Sequence, residues 1–99
     1  MNIDELRARR DVWPVIERTI PDAIETAQTA LADILKHPDL IQHLERKFRK
    51  GEAEHGGAWL QNTDDIGWLH IEAAEEILDF ILYQAMILVL NEAKWESGR

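Results

Sequence analysis

An all-α fold is predicted by three features of the 99-residue chain. Apolar residues recur at three- and four-residue spacing, no alternating run of β-branched residues survives for four positions, and the last third of the chain contains no proline. The expected architecture is a set of short helices packed on one long C-terminal helix, in a bundle completed by oligomerisation. Residues 1–99 read as a single domain, with 1–20 a variable N-terminal segment and 96–99 a frayed tail.

Taken in order, Met1 to Val12 reads as a short amphipathic helix ending before Trp13-Pro14, since the residue before a proline is pushed out of the helical region. A turn is expected through Ile20. Pro21 then stands at a first-turn position, and Asp22 to Lys36 forms a helix with Ala23, Ile24, Ala27, Leu31, Ile34 and Leu35 on its apolar side. His37-Pro38 ends that element. Asp39 to about Glu54 carries Leu40, Ile41, Leu44 and Phe48 at helical spacing, and Gly56-Gly57 breaks the chain. Asn62, Thr63, Asp64 and Asp65 offer N-caps for a helix reaching about Trp95. Roughly 30 residues at ~1.5 Å each would extend roughly 45 Å. Its Phe80–Leu90 portion, FILYQAMILVL, is apolar almost all round and needs cover on several sides. Two copies of such a helix would supply it, so a homodimer or homotetramer is expected.

Nineteen acidic against eleven basic residues leave a formal charge of -8. That balance argues against binding a nucleic-acid polymer or an anionic membrane surface. The absence of cysteine excludes disulfide scaffolds, thiolate zinc sites and cysteine nucleophiles. The opening segment, MNIDELRARRDVW, has no apolar core of a signal peptide, and no apolar run is long enough to span a bilayer. A cytoplasmic protein is expected.

The segment HIEAAEEILDF is the most informative. Glu72, Glu75, Glu76 and Asp79 fall within a sector of roughly 100° on one helix. A solvated face explains such a stripe in the simplest way, yet solvated faces usually mix signs. Between Lys50 and Lys94 there is no lysine or arginine, and each like-charge pair at this spacing costs about 0.2–0.5 kcal/mol. The stripe also runs on into Tyr83 and Met86, as if into a protein-lined groove. Carboxylate oxygens one turn apart suit a hard divalent cation, Mg²⁺ or Mn²⁺, which bridges readily to phosphate.

Glu72-x-x-Glu75 followed by Glu76-x-x-Asp79, together with Lys47-Phe48, Gly51, Glu54-His55-Gly56-Gly57 and EEILDFILY, resembles the MazG-like all-α nucleotide pyrophosphohydrolases, in particular short phage-type members. The resemblance covers about residues 44–90. It implies a dimeric or tetrameric helical assembly that cleaves a nucleoside triphosphate between the α and β phosphates, releasing nucleoside monophosphate and pyrophosphate, with Mg²⁺ held by carboxylates. Glu76 and Asp79 match the family's E-x-x-D, and Glu72 and Glu75 extend it. The family's separate upstream E-x-x-E is absent before residue 72, and Glu54 is the substitute by position.

Other candidates follow from residue type. Lys47, Arg49 and Lys50 would hold phosphates, or else compensate the helix dipole, with Arg49 paired to Glu45. His55 is a candidate substrate contact or a simple helix terminator. Trp59 and Trp68 would stack on a nucleobase or anchor a loop, and Tyr83 would edge the groove. The competing function is a non-enzymatic acidic module that binds a partner protein or nucleotide through its helical surface.

Overall fold

A computed structural model describes residues 1–60 and 66–98. The described residues form helices joined by short turns: α1 (Ile3–Ala8), α2 (Trp13–Leu35), α3 (Leu40–His55), a 3₁₀ turn (Ala58–Leu60) and α4 (Gly67–Ser97). Among them there is no strand. Among the described residues no helix is long and apolar enough to cross a membrane.

The N-terminal half departs from expectation. The segment 13–20, expected to hold a turn, is the start of α2, and the helix passes through Pro21 without ending. Pro14 lies in the first turn, where a missing N–H costs nothing. Asp11 Oδ1 accepts from the Trp13 N–H at 3.0 Å and sets the entry. Packing explains the continuity. Val15 and Ile16 are buried with Ala23, Ala85 and Val89 in the core. Burying two such side chains stabilises by about 1.5–3 kcal/mol each, enough to offset the roughly 3 kcal/mol cost of an internal proline. The first helix is shorter than expected, six residues capped by Asn2, whose Oδ1 accepts from the Glu5 N–H at 2.8 Å.

The core lies where α2 and α4 run antiparallel. Ala23 and Ala85 are fully buried, and Ala27, Val89 and Ala93 nearly so. Small side chains at these points let two helices approach closely, but they bury little area. Leu6 of α1 and Met1, ahead of that helix, close one end, and the Met1 amino group pairs with Glu96. Of the apolar side predicted for α2, only Ala23 and Ala27 are buried; Ile24, Leu31, Ile34 and Leu35 are exposed.

The expected third and fourth helices are present. His37-Pro38 separates α2 from α3, with the Asp39 N–H donating to His37 Nδ1. Gly56 closes α3 at φ 60°, its N–H donating to the Glu52 carbonyl at 2.7 Å. No residue of α3 is buried. α4 begins at Gly67 and runs to Ser97, past the expected end at Trp95. The expected caps Asn62 to Asp65 lie outside the described residues.

Candidate functional site

Where α3 ends and α4 begins, Phe48, Gly51, Glu52 and His55 face Trp68, Leu69 and Glu72 across an apolar pocket of about 600 Å³. Ala58 and Trp59, on the 3₁₀ turn, form its third wall. The local sequence accounts for the arrangement. Residues 48, 51, 52 and 55 share one side of a helix at 100° per residue. The left-handed conformations of Gly56 (φ 60°) and Gly57 (φ 76°) turn the chain back, so that Trp59 returns to α3. Its indole N–H donates to Glu52 Oε1 at 2.7 Å, and its ring meets Phe48 edge-on with centroids 6.3 Å apart. A charge-assisted hydrogen bond and an aromatic contact thus fix one wall. On the opposite wall, Trp68 Nε1 is buried with no hydrogen-bond partner among the described residues. A buried indole N–H of this kind is costly unless an acceptor reaches it.

Glu72 links the pocket to the carboxylate row. From Glu72 the row continues through Glu75, Glu76 and Asp79 on successive turns of α4, and all four side chains are exposed. Among the described residues, no three His, Asp or Glu side chains come together to hold a metal ion. The donor chemistry is that of a hard cation, carboxylate oxygen only. The row presents those oxygens along one helix face, and further ligands would have to come from water, substrate or another chain.

The other candidates separate into two groups. His55, Trp59 and Glu72 line the pocket. Lys47, Lys50 and Glu54 are exposed and lie outside its lining, as their positions around α3 relative to Phe48 and Glu52 require. Glu54 has His55 as neighbour, Nε2 to Oε2 at 3.8 Å. Arg49 forms the ion pair with Glu45 at 2.8 Å. Tyr83 is 61% exposed one turn beyond Asp79 and is not a pocket wall.

Two residues at the pocket were missed as site candidates by sequence reasoning. Glu52 and Phe48 face it from α3 together with Gly51 and His55, and Glu52 rather than Glu54 lines the pocket with Glu72. The four-residue spacing from Phe48 to Glu52 puts them on one side of α3, but nothing in that spacing shows that Trp59 returns to that side across Gly-Gly. Comparison of the chain with protein-family models, with curated proteins and with solved structures finds no significant match.

Proposed function

We propose that this chain is the subunit of a homo-oligomeric, cytoplasmic nucleoside triphosphate pyrophosphohydrolase that depends on Mg²⁺ or Mn²⁺. The observation that carries the reading is the continuity, through Glu72, of an aromatic-walled pocket with a row of carboxylates. Its volume of about 600 Å³ lies within the range of small-molecule sites. Phe48, Trp59 and Trp68 offer ring faces and edges to a planar base, and the Trp68 N–H offers a donor to one of its acceptors. Glu72, Glu75, Glu76 and Asp79 then lie along the path of an attached polyphosphate. They are repelled by it unless a cation intervenes. When bound, the divalent ion would neutralise phosphate charge and lower the pKa of a coordinated water. Glu76 and Asp79 serve as its principal ligands in this reading, and Glu52 holds Trp59 in place for the base.

Calorimetric titration of Mg²⁺ or Mn²⁺, with and without a non-hydrolysable deoxynucleoside triphosphate, tests the reading. Mutually enhanced binding, lost in Glu76→Ala and Asp79→Ala with helicity retained, is the expected result, together with pyrophosphate release from a hydrolysable substrate. Full metal affinity in Asp79→Ala would remove that residue from the site.

The exposure of all four carboxylates favours a second reading, a non-enzymatic module whose acidic helix docks a basic partner surface. It predicts partner binding without metal and no turnover, so the same titrations separate the two.

A further inference from the structure

A compact 11.5 kDa monomer exposes about 5,800 Å² of surface. This chain exposes 8358 Å². Its radius of gyration is 17.9 Å, against about 13 Å for a compact chain of this length. The surplus is apolar in character. Trp13, Ile24, Leu31, Leu78, Met86 and Leu90 are each at least two-fifths exposed. No described side chain larger than alanine is fully buried.

Part of that surface is a continuous groove. Trp13, Ile20 and Ile24 from α2 and Leu78, Ile81 and Leu82 from α4 line a depression of about 640 Å³, with Glu17 the one charged residue in its lining. The acidic row is centred roughly 120° around α4 from Ala85 and Leu78, so the groove lies to one side of it.

We infer that the groove is the two-fold interface of a homodimer, in which α2 and α4 of one chain pack against α2 and α4 of a second copy as a four-helix core. Three considerations select a copy of the same chain. The surplus of about 2,500 Å² per chain is of obligate size; even half of it from each partner lies in the range of obligate dimers. A self-complementary apolar groove suits an isologous contact, in which each chain offers the same patch. Two strongly acidic chains can associate only through a face nearly free of carboxylates, and the groove is one. A basic partner would select the opposite property. The inference locates the oligomeric contact and does not depend on the proposed chemistry.

The test is sedimentation of the intact chain beside Ile24→Glu and Leu78→Glu, with helicity followed by circular dichroism. The expected result is a particle of twice the chain mass that falls to monomer in either variant. Thiol alkylation gives a readout independent of any unfolding of these variants, in a chain that has no cysteine of its own. Ile24→Cys should react several-fold more slowly than its neighbour Glu25→Cys in the assembled protein, and the difference should vanish on dilution. A helical monomer at micromolar concentration overturns the inference. So does an oligomer in which Ile24→Cys and Glu25→Cys react alike. A monomeric chain that still binds metal and nucleotide would overturn the interface and leave the pocket and carboxylate row standing.

Discussion

Gly56 and Trp59 carry the geometry of the pocket at the scale of single residues. Gly56 holds φ 60°, and a Cβ added there would meet nothing within 4 Å. The cost of Gly56→Ala is therefore conformational alone, about 1 kcal/mol. It should fall on the last turn of α3, where the Gly56 N–H donates to the Glu52 carbonyl. Amide exchange at residues 52–56 should speed up about fivefold, the ratio that 1 kcal/mol represents, while the α2–α4 core keeps its protection. Unchanged exchange would mean that the left-handed cap does not hold the turn. At this scale the sequence was a partial guide. The Gly-Gly break and the Arg49–Glu45 pair follow from spacing. The preference for Glu52 over Glu54 does not, because it depends on where Trp59 returns in space, and a hydrogen bond seven residues apart leaves no periodic trace.

Helices α3 and α4 were legible because each is bounded by unambiguous punctuation, His37-Pro38 and Gly56-Gly57. Helix α2 was misjudged for the same reason. Pro21 reads as a beginning, and only the burial of Val15 and Ile16 against Ala85 and Val89, a contact far apart in sequence, makes it an interior residue. That places a stored cost in the middle of the helix. Pro21→Ala restores an N–H donor to the Glu17 carbonyl and removes the clash of the ring with it. The substitution should stabilise the chain by about 1–3 kcal/mol, read as a higher denaturation midpoint with unchanged slope. A lower midpoint would show that the proline shapes the path of α2 past Leu78 and Ile81, beside which it lines the groove.

At the scale of the whole molecule, the 45% hydrophobic content and the small core pull in opposite directions. Among the described residues seven hydrophobic side chains are buried, three of them larger than alanine, which is too little apolar area to outweigh the chain entropy of so many ordered residues. Sequence reasoning anticipated this from FILYQAMILVL, whose all-round apolar character no pair of short companion helices could cover. The structure bears out its source, since Met86, Ile87 and Leu90 remain exposed. If folding is completed by a second copy, stability becomes a function of concentration. A hundredfold rise in protein concentration then adds about 2.7 kcal/mol per dimer. With an unfolding entropy of about 0.2 kcal/mol/K for each chain of this length, the thermal midpoint should climb by about 6 °C. A midpoint independent of concentration would require the described core to sustain the fold unaided. Added salt should raise the midpoint as well, because it screens the repulsion between two chains of charge -8 without weakening apolar contacts. An interface built on ion pairs would respond in the opposite direction, so the sign of the salt effect shows whether the apolar groove or the charged faces hold the assembly together.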